Sequence, residues 1–72
     1  MKLSELEINK TGIVTKNNNS KEIAKRFQDL GITSNTRIIP LLNSPSGKIR
    51  AYYVKDTLLA IRDQEAENIE IS

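Results

Sequence analysis

The sequence predicts a mainly β fold: a small barrel of about five short strands with one α-helix inserted after the first. From Gly31 to Ile71 the chain divides into short β-rich runs, punctuated by Gly31-Ile32-Thr33-Ser34-Asn35-Thr36, Ser44-Pro45-Ser46-Gly47 and Val54-Lys55-Asp56-Thr57. Only Lys21–Leu30 carries a convincing helical spacing of apolar residues; after Gly31 the spacing moves towards two. Hairpins of this number and length curl into a small barrel, which hides most sheet edges.

Leu3-Ser4-Glu5-Leu6 suits one helical turn, with Leu3 and Leu6 on one side. Lys10-Thr11-Gly12 reads as a turn, and β-branched Ile13-Val14-Thr15-Lys16 as the first strand. Asn17–Ser20 is a polar loop. Asn19 or Ser20 serves as N-cap, because a short side-chain oxygen accepts from an orphan backbone N–H. Asn19 and Glu22 have capping-box spacing. Ile23, Phe27 and Leu30, with Ala24 beside them, make one apolar stripe. Glu22 and Arg26 are spaced for an i,i+4 pair on the wet side. Gly31 stands where a C′ glycine belongs.

Thr36–Leu42 is the second strand, with Ile38 inward. Pro40 lacks an N–H, so this strand should lie at an edge, be bulged, or break there. Asn43–Gly47 is a hairpin-type loop. Lys48–Val54 follows, with Tyr52 and Val54 inward and Tyr53 outward. Lys55-Asp56 makes a tight turn. Leu58–Arg62 points Leu59 and Ile61 inward. Asp63 caps one helical turn over Gln64–Glu67, and Ile69 and Ile71 alternate with Glu70 as the last strand.

With 72 residues the chain makes one domain, residues 1–72. Such a short chain buries only about 60% of its unfolded surface, so its stability margin is thin. Cysteine and histidine are both absent. That removes disulfide staples, the usual zinc ligands, and the common nucleophile and base of hydrolytic sites. The serines sit in turns or caps, and Gly12, Gly31 and Gly47 are too far apart to cradle a phosphate. No enzyme activity, cofactor or metal site is expected. The carboxylates, including i,i+2-spaced Glu65 and Glu67, read as solvated surface.

Net charge is +2, from 11 basic and 9 acidic side chains, and the bases are dispersed rather than gathered into a stripe. Lys25, Arg26 and an outward Tyr53 would make only a small stacking platform, so nucleic-acid binding is not expected. No apolar run reaches membrane-spanning length, and the start has no signal-peptide h-region, so a cytoplasmic location is expected. Leu41, Leu42, Tyr53 and Leu58 cannot all point inward if their neighbours do. Either some form an exposed patch, or twist and a bulge near Pro40 bury them.

From Gly31 onward the motifs resemble a known family. Asp29-Leu30-Gly31-Ile32-Thr33 with Asn35-Thr36-x-Ile38, then Ser44-Pro45-Ser46-Gly47, Val54-Lys55-Asp56, and Leu59-Ala60-Ile61-Arg62 with Glu65-Ala66 and Ile69 are similar, in order and spacing, to the ferrous iron transport protein A family, FeoA. Leu3 and Gly12-Ile13 fit the family's opening. Asn35 and Asp56 stand where the family commonly has glycine, Pro40 where it has a β-branched residue, and Thr57-Leu58 in place of an aromatic-basic pair.

The resemblance implies an SH3-like barrel acting as an accessory in bacterial ferrous iron uptake. Its implied partner is the membrane transporter whose cytosolic part is a G-protein domain, so the chain meets the membrane through that partner. The contact candidates are Lys25, Arg26 and Phe27 at the helix end, and Leu41, Tyr53 and Leu58 on the outer strands. Two alternatives are a regulatory domain like those of metal-dependent transcription repressors and a small nucleic-acid-binding barrel. Weak self-association through Leu41 or Leu58 also remains open.

Overall fold

Turn chemistry sets the strand order in the computed structural model, which describes residues 1–72. A 3-10 turn, Leu3–Glu5, precedes β1 (Gly12–Asn17), α1 (Lys21–Asp29), β2 (Arg37–Asn43), β3 (Ile49–Val54), β4 (Thr57–Arg62), the short α2 (Asp63–Ala66) and β5 (Ile69–Ile71). All five strands join one antiparallel sheet in the order β4-β3-β2-β1-β5. The β3–β4 turn has Lys55 at φ 48° and Asp56 at φ 64°, the double positive φ that a type I′ hairpin needs. Asn35 also takes positive φ, and Gly31 closes α1 at φ 95°.

The sheet wraps round a core of Leu3, Leu6, Val14, Phe27, Ile32, Ile38, Tyr52, Val54, Ile61, Ala66, Ile69 and Ile71, with Ile23 and Leu59 packed against it. Tyr52, Val54 and Ile61 point inward as expected, and Ile69 and Ile71 flank an exposed Glu70. Ser20 is the N-cap of α1, accepting from the Ile23 N–H at 3.3 Å. Asn19 instead binds the Asn17 side chain and the Glu65 carbonyl.

Pro40 lies inside the sheet rather than on an edge strand. The type I′ turn makes Val54 and Thr57 a hydrogen-bonded pair, and alternation along the ladders leaves the main-chain groups of Pro40 facing away from β3. Of β2, only Arg37 and Ile38 pair with β1, so no β1 residue opposite Pro40 needs its missing N–H. Its carbonyl accepts from the Asn9 N–H at 2.7 Å. Of the three outcomes expected at Pro40, the bulge is the one present, between Pro40 and Leu42.

Several side chains depart from expectation. Leu30 ends the helical stripe half in solvent, because the chain turns at Gly31 immediately beyond it. Arg26 pairs with Glu65 across to α2 rather than with Glu22, and Glu65 is buried rather than solvated. Asp63 opens α2 as its first residue without a capping side chain; Arg62 holds the N-cap position.

The two sheet edges differ. β5 is covered by the N-terminal segment: Lys2 bridges Glu70, and the Ile71 N–H donates to the Met1 carbonyl at 2.8 Å. β4 has β3 on one side and no strand on the other. The N-terminal segment therefore hides one edge, and the other is left open.

Candidate functional site

The outer face of the β2–β3–β4 meander gathers four of the six large exposed apolar side chains; Met1 and Leu30 lie elsewhere. In register across the strands lie Ile39, Tyr53 and Leu58, then Leu42, Ala51 and Ala60, then Ile49 beside Arg62. Leu42 is 67% exposed, Leu58 62%, Ile49 40% and Tyr53 38%. This face is therefore a neighbouring set of apolar groups rather than scattered singles, the pattern that marks an interaction surface. Tyr53 is held in place: its hydroxyl donates to Asp56 Oδ1 at 2.6 Å across the hairpin turn. That carboxylate acceptor pushes the Tyr53 pKa up from its ordinary value.

The bulge decides what the face contains. With strict alternation from inward Ile38, Leu42 would point into the core. One extra residue between Pro40 and Leu42 reverses the parity. Leu42 turns outward and Leu41 is left half-buried. Among the expected contact residues, Tyr53 and Leu58 are thus cross-strand neighbours and Leu41 lies at the bulge.

The expected helix contacts do not join this face. Lys25 and Arg26 are exposed on α1, a separate element, and Arg26 is engaged with Glu65. Phe27 is corrected outright: at 1% exposure it is a core residue, packed inward with Arg26 stacked 5.0 Å from its ring centroid, and offers no surface to a partner. Engagement of Arg26 also removes one member of the basic-aromatic platform. Leu42 and Ile49 are the residues that the contact candidates lacked; only the bulge distinguishes Leu42 from a core leucine.

One buried polar pair lies beneath the opposite end of the meander. Arg50 donates from Nη2 to the Leu6 carbonyl at 2.8 Å and from Nη1 to the Ser4 carbonyl at 3.3 Å. Its guanidinium lies 5.5 Å from the Tyr52 ring centroid. Arg50 Nε and the Tyr52 hydroxyl are enclosed without a well-formed hydrogen bond. Burial pushes the Tyr52 pKa up, and the Arg50 charge partly opposes this. The role of Arg50 is to tie the N-terminal turn to β3. No three Asp or Glu side chains converge to hold a metal ion, and no helix is long and apolar enough to cross a membrane.

The geometry defines a small, mainly β, SH3-like module whose most distinctive surface is an apolar sheet face. Its FeoA-domain pattern extends over residues 1–72, and the chain belongs to the FeoA family. The solution structure of FeoA protein from Chlorobium tepidum is 31% identical, with a TM-score of 0.94 over 99% of this chain and 68% of that one. FeoA from Stenotrophomonas maltophilia, solved with zinc and described as a prokaryotic SH3 domain protein, is 25% identical, with a TM-score of 0.82 over 100% of this chain and 89% of that one. A manganese-dependent transcriptional repressor shares the fold alone: 15% identity and a TM-score of 0.87 over 99% of this chain and 40% of that one. None of the curated proteins compared with the chain matches it.

Proposed function

We propose that this chain is a cytoplasmic accessory protein of bacterial ferrous iron uptake. It docks on the cytosolic, G-protein-containing part of the membrane ferrous iron transporter and modulates it. Family membership supports the iron-transport role, and the S. maltophilia relative is described as a proposed ferrous iron transport activating factor. The observation that carries the docking reading is the outer face with Leu42, Tyr53 and Leu58. Leu41 flanks it at the bulge, while exposed Lys25 on α1, beside the Glu65-engaged Arg26, offers a second, charged contact. A face this small has room for a few anchor side chains, which is how most interfaces concentrate their energy.

The test is affinity capture from detergent-solubilised membranes of the native host, grown under iron limitation, with and without guanine nucleotide. The tagged chain should recover the transporter, identified by mass spectrometry. Leu58→Asp should lower recovery about tenfold or more, since it places a charge in the centre of the contact. Failure of the unsubstituted chain to recover the transporter in either nucleotide condition overturns the reading.

A further inference from the structure

We propose that the open edge of β4 pairs with the β4 edge of a second copy of this chain, joining two sheets into one. This goes beyond the transporter reading and does not depend on it.

The hairpin fixes which main-chain groups are free. Val54 and Thr57 close the two-residue turn as a hydrogen-bonded pair, so Tyr52–Leu59 and Arg50–Ile61 are also hydrogen-bonded pairs. Leu58 and Ala60 lie between them, and their N–H and C=O groups face away from β3. No turn, loop or cap elsewhere in the fold hydrogen-bonds to these groups. An edge of this kind is a template for another strand unless something blunts it. The usual devices are absent from Thr57–Ile61, which holds no proline, no charge and no bulge. The other edge of the same sheet is already covered by Met1 and Lys2.

The residues along β4 favour a second copy over an unrelated strand. Antiparallel pairing with the two-fold axis at Leu59 sets Leu58 opposite Ala60 of the second copy, and Ala60 opposite its Leu58. Both positions have outward main-chain groups, so each pair exchanges two hydrogen bonds. The large side chain meets the small one twice, on the same outer face. The strand ends carry opposite charges, Asp56 at the turn and Arg62 at the far end, both exposed. Antiparallel self-pairing brings each acid towards the base of the other copy, at both ends. Such an interface is isologous and closes as a dimer. It is also small, so the association is weak and concentration-dependent.

Sedimentation equilibrium across a wide protein concentration range, with amide exchange read residue by residue, tests this. The expected result is a mass rising from 8.1 kDa towards twice that value. Protection at Leu58 and Ala60 should rise with concentration in parallel. Ala60→Pro removes one outward N–H, at a position where an edge strand accepts proline. It should weaken association about tenfold or more. Leu58→Lys is a second variant, placing a charge on the same edge without altering the backbone. A monomeric mass with concentration-independent exchange at Leu58 and Ala60 overturns the proposal. So does association that survives both substitutions, which would place the contact elsewhere. Protection of this edge only when the transporter's cytosolic domain is added would assign it to that partner and equally overturn self-pairing. Transporter capture is a separate readout, so failure of one proposal is distinguishable from failure of the other.

Discussion

The edges of β4 and β5 belong to the same sheet and are finished in opposite ways. The β5 strand is short, its inward Ile69 and Ile71 are core residues, and the N-terminal segment hydrogen-bonds along its outer side. The β4 strand is longer, lies on the flank of the apolar outer face, and nothing pairs with its outer side. A chain this small has little apolar material to spare. It uses Leu3 and Leu6 to anchor the segment that closes one edge, and leaves Leu58 62% exposed beside the other. Closure of this fold is therefore local: one edge is sealed by the chain itself, and the other is left unpaired.

The largest expected effect comes from loosening the sealed edge. Leu3 is fully buried in the 3-10 turn that follows Lys2. Leu3→Ala removes that anchor and should destabilise the fold by about 2–5 kcal/mol. Urea denaturation reads the loss, and amide exchange at Ile71 should rise more than at Tyr52. Equal acceleration at both amides would mean that the two sides are not separable.

A smaller effect is expected at the link between the edges. α2 runs from the end of β4 towards β5, and its Glu65 is held by Arg26 of α1. The Glu65 side chain is 10% exposed and that of Arg26 50%. Removing one partner of a fully buried pair costs about 3–5 kcal/mol. Half-exposure of the arginine lowers the expectation for Arg26→Ala to about 1–2 kcal/mol. An unchanged denaturation midpoint would show that Glu65 is satisfied by water.

The smallest effect lies on the open side, at Tyr52, whose register partner is Leu59 of β4. Burial raises its pKa above the ordinary value of 10.0. Below pH 10 the phenol is protonated in both folded and unfolded chains, and the stability tied to this shift is fully present. Above that pH the unfolded chain loses the proton first, so stability falls as pH rises towards the folded-state pKa. Tyr52→Phe should change stability by less than about 1 kcal/mol at neutral pH, because the hydroxyl lacks a well-formed partner. It should also flatten the alkaline decline measured by denaturation between pH 9 and pH 11 (about one unit either side of the ordinary tyrosine value). A decline identical in both proteins would assign the alkaline loss to other groups.

Most of the fold was legible because its signals are local. Lys55-Asp56 specifies its own turn, Ser20 its own cap, and Tyr52, Tyr53 and Val54 sort themselves by alternation. What escaped depends on distant partners. Glu65 reads as surface until α1 brings Arg26 to it, and Arg50 reads as a dispersed base until the carbonyls of Ser4 and Leu6 meet it. Leu42 was half legible. Pro40 announced an edge, a bulge or a break, but the side chains that a bulge turns outward follow only from its position in the ladder. Phe27 shows the reverse limit: its place in a helical stripe marked it as core, while its position at the helix end suggested a contact.

The sheet order has a consequence in time. β2, β3 and β4 are joined by short hairpins, so their pairing closes only small loops. β1 and β5 come from opposite ends of the chain, with Val14 opposite Ile71. Bringing them together restricts nearly the whole chain, and that entropy is lost before the contact repays it. The meander should therefore be ordered in the folding transition state and the β1–β5 seam should form after it. Truncations such as Val54→Ala should mainly slow folding, whereas Ile69→Ala should mainly speed unfolding. The reverse pattern in stopped-flow refolding would place the seam first. If the meander leads, the open β4 edge exists before the core is sealed, and crowded, partly folded chains meet one another there first.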